Sequence, residues 1–488
     1  MWIGVGSFFS FLVGIVSPMI LSRLFTKDDY GTYKQVMYVY QSLIMVFSLG
    51  LPRAYAYFLP RYERQYSKDI INKITHLFLI MGILFSAFIY GFSDVIAKLL
   101  NNEQLSLALK VFSPTPFLLL QTFGLEGIYA SFKKTEWISI YTITTRVFTV
   151  VLTVLPVILY DGNYIHALIG FDVASLITFI IALIMMYYPT RYENHENSNL
   201  TYRQILSFSL PLLSAALWGL VISSACQFFI SRYYGTSIFA DFSNGFMEMP
   251  FATMVVSAIA AVLLPRLSEL DSDNLEKREQ VIILWRSALI KSAKIIFPIL
   301  IFAVFFAKLI MICLYGDVYG SSGVYFQIKN ISSLFYIIPF SPIMLAIGKS
   351  KAFANIHMVI AFLIVILEFA CVKIIDSPVA LAITSEVCQV FKLYLMMRVV
   401  ANYAHRHMKD LIPTGEMCLI LSACILSALT TYGLSLFITA NKFVLVTLLI
   451  IVFCSVYYLI CKILKISYKE IIVGLLPKLN KQILRFVP

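Results

Sequence analysis

Hydrophobic stretches of about 20–28 residues recur between residues 2 and 464, each closed by a short polar or basic break. Each is long enough to cross a hydrocarbon layer of about 30 Å as a helix, and about fourteen can be counted. The longest breaks, residues 189–204 and 265–284, are too short to hold a folded soluble domain. The pattern predicts an all-α polytopic membrane protein with no globular catalytic part. Residues 2–25 lack a basic leader and are too long for a signal-peptide core, so they are expected to stay as the first helix.

Charge orients the helices. With the N-terminus inside, the cytoplasmic breaks are residues 60–70, 131–137, 189–204, 265–284, 348–351, 398–410 and 462–488. They hold about 21 Lys/Arg, against about five on the other side (Lys27, Lys98, Arg232, Lys373, Lys442), a bias that sets orientation. An even helix count then places both termini in the cytoplasm. Composition agrees, at 60% hydrophobic, 13% charged and a mean hydropathy of +0.85. The net charge of +12 follows one membrane face, so it points to membrane lipids as partner and not to nucleic acid. The basic tail, with Lys469, Lys478, Lys481 and Arg485, reads as an inner-leaflet anchor. The eight cysteines lie in apolar runs without a C-x-x-C pair, which supports neither a metal site nor a disulfide framework. No phosphate-cradling Walker loop or metalloprotease helix motif is present, so ATPase and soluble-enzyme classes are excluded.

A repeat runs through the chain. Ser22-Arg23 matches Ser231-Arg232, and at the same offset Tyr30-Gly31-Thr32-Tyr33 matches Phe239-Ala240-Asp241-Phe242. One helix on, Leu59-Pro60-Arg61 matches Leu264-Pro265-Arg266. An even number of helices separates the copies, so both face the same way. This predicts two lobes of about six helices each, related by a parallel pseudo-repeat, with a substrate site between them. The expected division is 1–199, 200–409, and a 410–488 appendix of two more helices and the tail.

The residues that carry the repeat resemble the multidrug/oligosaccharidyl-lipid/polysaccharide (MOP) exporter superfamily, and within it the polysaccharide transporters that include O-antigen-unit (Wzx-type) flippases. Arg23-Leu24-Phe25-Thr26-Lys27-Asp28-Asp29-Tyr30-Gly31-Thr32-Tyr33 is similar to that family's signature after helix 1. Ser48-Leu49-Gly50-Leu51-Pro52-Arg53 resembles its helix 2 segment. Phe246-Met247-Glu248-Met249-Pro250 and Leu263-Leu264-Pro265-Arg266 resemble helix 8, and Tyr315-Gly316-Asp317-Val318-Tyr319 the loop after helix 9. Where lipid II flippases carry an arginine before the helix 8 glutamate, this chain has Gly245. Relatives carry a basic leader before helix 1, which leaves room for a start upstream of Met1.

Charges inside helices are costly and usually face a partner or a wet cavity. The first lobe holds Arg23, Lys34, Arg53, Lys110 and Arg146 against Glu126 and Asp172. Arg146 lies about 15 Å from the Lys133–Lys134 edge, and Arg53 about 12 Å from Arg61, beside Pro52. Lys34, Lys110 and Arg23 lie near outer ends, where snorkelling competes with a binding role. An arginine presents paired donors suited to a diphosphate, and an ion pair with Asp172 or Glu126 is the alternative for Arg146. Tyr38, Tyr55 and Tyr57 are the tyrosines placed to meet sugars, most of the others belonging to interfacial belts and packing. In the second lobe Glu248 is the deepest carboxylate. It suits a coupling proton or sodium ion or, alternatively, pairs with a basic residue; Asp172 is the coupling candidate of the first lobe. Glu368, Glu386 and Lys329 read as structural pairs, and His357 as an interfacial residue.

The resemblance implies a flippase in the bacterial inner membrane that moves an undecaprenyl-diphosphate-linked oligosaccharide by alternating access, for O-antigen, capsule or exopolysaccharide. A polysaccharide polymerase and a chain-length regulator are the partners it implies, and no cofactor. Alternatives are a lipid II flippase, a cation-coupled small-molecule exporter, or a membrane-embedded glycosyltransferase or polymerase. The last would need a soluble domain or a long outer loop.

Overall fold

The computed structural model describes residues 2–192, 195–269, 275–337, 340, 343–344 and 347–469; Lys478, Lys481 and Arg485 of the basic tail lie outside them. Every regular element among the described residues is a helix. In a hydrocarbon layer each main-chain N–H and C=O must be satisfied within its own segment, which a helix achieves.

Contacts divide the chain into two compact units, Met1–Ser243 with Glu368–Pro378, and Asn244–Leu367 with Val379–Pro488. The first contains α1 (Trp2–Leu24), α2 (Lys27–Phe47), α3 (Pro52–Phe58), α4 (Ser67–Leu99), α5 (Gln104–Phe112), α6 (Pro114–Leu120), α7 (Leu125–Ser131), α8 (Thr135–Leu159), α9 (Tyr164–Tyr187) and nearly all of α10 (Tyr202–Gly245). Helix α1 packs along α8, and α8 along α9. The core gathers Tyr55, Phe58, Ile70, Ile74, Phe78, Leu125 and Ile128. Helix α2 starts where the signature places it. The Thr26 hydroxyl oxygen accepts from the Asp29 N–H, and Asp28 and Asp29 occupy the first turn, where carboxylates complement the helix dipole.

The second unit contains α11 (Pro250–Glu269), α12 (Leu275–Phe305), α13 (Ala307–Tyr315), α14 (Ser322–Ser333), most of α15 (Ser350–Ile374), α16 (Pro378–Ala404), α17 (Thr414–Ser435) and α18 (Lys442–Ile463). Its core forms around Trp285, Leu289, Phe297, Leu300, Ile420 and Phe453.

Among the described residues nine helices are long and apolar enough to cross a membrane. A tenth is reached if Tyr202–Pro211 and Ala216–Gly245, bent by 50°, form one span. Part of the difference from the hydrophobic runs lies in interrupted helices, because hydropathy registers composition and not a broken hydrogen-bond ladder. Residues 104–131 read as one run, yet Pro114 and Pro116 accompany a division into α5, α6, a 3-10 turn and α7. Gly316, at φ 102°, separates α13 from the turn before α14, within the loop that the sequence placed after helix 9.

Candidate functional site

Two of the sequence motifs are helix breaks. In the first unit α2 ends at Phe47, Leu49 (φ 49°) and Gly50 (φ 70°) take left-handed backbone, and Pro52 opens α3. A left-handed leucine costs about 1–2 kcal/mol. The turn is held by the Leu51 N–H donating to the Ser48 carbonyl at 2.9 Å. Proline suits the first position of α3, where its missing N–H would have no partner. The break falls within the candidate span Lys27–Arg61. Arg53 follows it, exposed and without a hydrogen-bond or ion-pair partner among the described residues.

The other expected site residues of this unit differ in their surroundings. Arg146 on α8 is exposed and within Coulombic reach of Tyr40. Arg23 is exposed and donates to the Met19 carbonyl at 2.8 Å. The Lys34 ammonium lies 5.3 Å from the Tyr30 ring centre. Lys110 is joined to both Asp94 oxygens at 3.1 Å, and Asp94 also accepts from Ser106. Asp172 accepts from the Thr115 hydroxyl. Tyr38 donates to the Ser224 carbonyl at 3.2 Å and meets Phe239 edge-on. Tyr55 is fully buried, hydrogen-bonded to Thr75 at 2.9 Å and stacked on Phe78. In this conformation it reaches no open surface.

The signature after helix 1 does something the sequence did not disclose, because it clasps α2 to α10. The Lys27 ammonium meets Asp241 at 2.6 Å, and the Thr236 hydroxyl donates to Asp28 at 2.6 Å. The Gln35 amide donates to Ser231 at 2.7 Å and accepts from Asn102 at 2.6 Å. Arg232 caps α4 by donating to the Leu99 carbonyl at 2.5 Å. Gly31 is fixed by close approach, since a Cβ there would stand 2.2 Å from the Thr236 carbonyl oxygen. Small residues that let backbones touch drive helix association where lipid removes the hydrophobic force. Gly31→Val is expected to part α2 from α10. Thiol labelling of a cysteine placed at Ser231 should rise, and stability should fall by about 1–3 kcal/mol, as for overpacking. Unchanged labelling would mean the helices repack around the side chain.

In the second unit α10 ends at Gly245 and α11 opens on Pro250, leaving Phe246, Met247, Glu248 and Met249 between helices. A Cβ on Gly245 would stand 2.1 Å from the Ser322 carbonyl oxygen, so the break sits against the start of α14. That helix carries Lys329, whose side chain is 11% exposed. Its ammonium lies 3.0 Å from Glu386 (4% exposed) and 3.3 Å from Glu248 (55% exposed). Ser332 donates to the other Glu386 oxygen, and the Phe246 ring centre is 5.1 Å from the Lys329 ammonium. Glu386 is therefore locked, whereas Glu248 keeps half its surface open.

Glu248 lines a cavity of about 380 Å³ with Tyr336, His357 and Lys392. Lys392 donates to Gln389 at 3.0 Å and lies 5.8 Å from the Tyr336 ring centre. His357 Nδ1 is 2.9 Å from the Phe353 carbonyl. Lys392 and Glu248 thus balance at the cavity wall, with the enclosed Lys329–Glu386 pair behind Glu248, which suits the cavity to polar ligands more than to a diphosphate. Lys329 and Glu386 pair, as the sequence suggested. Lys392, Tyr336 and His357 were not assigned to the Glu248 site from sequence. Helical spacing was the available signal, since Lys329, Ser333 and Tyr336 fall on one face, as do Phe353 and His357.

This arrangement, a helical membrane protein whose spans are broken at charged Pro-containing motifs, is the fold of MOP transporters. The fold matches the lipid II flippase MurJ in an inward closed conformation with a TM-score of 0.72, at 16% identity over 96% of this chain and 99% of that one. It also matches an inward-facing multidrug resistance MATE family transporter of the MOP superfamily, with TM-score 0.64 and 12% identity over 81% of this chain and 95% of that one. A MOP superfamily transporter from Pyrococcus furiosus matches at TM-score 0.57 and 13% identity, over 84% of this chain and 94% of that one. The chain belongs to the polysaccharide biosynthesis protein family, which matches residues 20–323. It is 23% identical over 289 residues to the succinoglycan biosynthesis transport protein ExoT of Rhizobium meliloti (strain 1021). That match spans 56% of this chain and 54% of ExoT, about half the length of each. The family match places the chain among polysaccharide biosynthesis proteins, and its likeness to the solved transporters is one of fold.

Proposed function

We propose that this chain is a flippase of the bacterial inner membrane that moves a polyprenyl-diphosphate-linked oligosaccharide to the outer leaflet. The observation that carries the reading is Arg53. A guanidinium exposed beside a helix break within a candidate span, and lacking a protein partner among the described residues, needs an anionic ligand or water. A diphosphate supplies the matching acceptors, two oxygens for a planar fork of donors. Arg146, also exposed, would add positive charge in the same unit, and Arg23 and Lys34 would do so nearer the outer end, with Tyr38 toward the sugars. Lys110, Asp172 and Tyr55 have other partners here and would contribute less directly.

The topology that serves this function has both termini in the cytoplasm and about fourteen helices, with parallel lobes at 1–199 and 200–409. The clasp between α2 and α10 then lies at the outer end. Partnership with a polymerase and a chain-length regulator follows from the same pathway position.

The test is reconstitution in vesicles with defined polyprenyl-diphosphate oligosaccharides, scoring the fraction that becomes accessible on the opposite face. No flipping of any such lipid, alongside transport of a small cation, would replace this reading by an exporter. Glu248, open to its cavity, is the carboxylate placed to take a coupling cation. Glu248→Gln should leave substrate binding intact and flatten the dependence of flipping on a proton or sodium gradient. An unchanged gradient dependence would reduce Glu248 to the partner of Lys329.

A further inference from the structure

The cavity beside Glu248 measures about 380 Å³, within the span of about 300–1,000 Å³ usual for small-molecule sites, and lies wholly in the second unit. His357 on α15 and Lys392 on α16 line it from two candidate membrane spans, Ser350–Ile374 and Pro378–Ala404. Polar groups at such a depth are costly unless they have partners.

The polar groups of the wall keep hydrogen-bonding capacity in hand. Glu248 gives one oxygen to Lys329 and is 55% exposed, so its second oxygen is left to accept. Lys392 spends one N–H on Gln389 and has others to offer. His357 Nδ1 faces the Phe353 carbonyl. A carbonyl only accepts, so this nitrogen carries the proton and Nε2 is left as the acceptor of the neutral ring. The Tyr336 hydroxyl is buried without a hydrogen-bond partner among the described residues, and it lies within Coulombic reach of Glu248. Buried polar groups are almost always paired, so this one calls for a partner. Phe340 and Phe353 supply ring surface to the same wall.

Ligand classes make different demands on such a wall. An anion filling the cavity has no use for Glu248, nor a bulky organic cation for Lys392, and an apolar molecule would leave every polar group unpaired. A sugar hydroxyl both donates and accepts, and a pyranose ring also has a C–H face that packs on aromatic side chains. On the flippase reading of the cargo, we infer that this cavity is a subsite for one uncharged pyranose residue of the transported oligosaccharide, with Tyr336, His357 and Lys392 reading its hydroxyl groups. Glu248 is a further acceptor, a part that glutamine also fills.

The test uses the purified full chain in lipid nanodiscs, because sugar-headed detergents would compete. Saturation transfer is read by NMR on the methyl pyranosides of glucose, galactose and N-acetylglucosamine, with methyl glucuronide as the anionic control and empty nanodiscs as the blank. At least one uncharged glycoside should bind saturably and ahead of the glucuronide. Tyr336→Phe removes the hydroxyl and keeps the ring, and it should weaken that binding about three- to tenfold, the worth of one hydrogen bond. Lys392→Met should weaken it by about tenfold or more, as for a charged donor. Tyr336→Phe decides alone if Lys392→Met does not fold. Unchanged binding by the folded variants would overturn the subsite, and so would a preference for the glucuronide. Flipping of the lipid-linked oligosaccharide, scored on the same preparations, separates the two readings. Flipping without saturable sugar binding removes the subsite and keeps the flippase, whereas saturable binding without flipping keeps the sugar site and removes the flippase.

Discussion

Arg53→Ala should lower flipping of a polyprenyl-diphosphate oligosaccharide by about 10²–10³-fold, the usual loss when one member of a desolvated charge pair is truncated. Membrane abundance and melting temperature should stay near those of the natural chain, because Arg53 touches no described polar partner whose loss would leave a buried charge behind. Arg53→Lys keeps the charge and loses the planar fork, so part of the activity should remain. Measuring flipping and lipid binding on the same preparations separates the outcomes. Normal flipping by Arg53→Ala would remove the observation on which the functional reading rests. Lost flipping with normal binding would move Arg53 from recognition to the conformational cycle.

The second large effect concerns folding. Lys329 sits between Glu386 and Glu248, and the Lys329–Glu386 pair is almost fully enclosed. Removing one member of a buried pair leaves an uncompensated charge, which costs about 3–5 kcal/mol. Lys329→Met should therefore destabilise the protein by about that much, and Glu386→Met comparably, because Lys329 then keeps only the half-exposed Glu248. Combining Lys329→Met with Glu386→Gln should recover most of the loss, because no buried charge then lacks a partner. Thermal unfolding of the purified variants decides it. Equal damage in the single and double variants would assign the loss to packing of the lysine stem against Phe246 rather than to charge.

Much of this architecture can be read from residue order alone. Apolar length gave the helical membrane class, and the segments 48–53 and 246–250 stood out before their geometry was known. Their identity as helix breaks was legible in part, through Pro52 and Pro250, but the left-handed Leu49 carries no sequence signal of its own. Periodicity tells which face of a helix a residue occupies and not which neighbour meets that face. Tyr55 therefore looked like a sugar contact, although Gly124 and Gly127 let α7 close over it. For the same reason the Arg23–Tyr33 signature was legible as a family mark, whereas its task of gripping Thr236 and Asp241 was not. Lys329 and Glu386 could be suspected as partners because each is too costly to bury alone.

The charge at Arg53 also bears on what would reset a carrier of the proposed kind. A site that opens alternately to either side sits at the electrical potential of whichever compartment it faces. With the cell interior negative, an empty cationic site is held toward the cytoplasm by about 2.3 kcal/mol per charge for each 100 mV. A bound diphosphate carries two negative charges, so against this one arginine it reverses the sign of the site, and the same field then favours the outward step of the loaded carrier. The membrane voltage would thus return the empty protein to its loading side, and cargo would release it for the outward step.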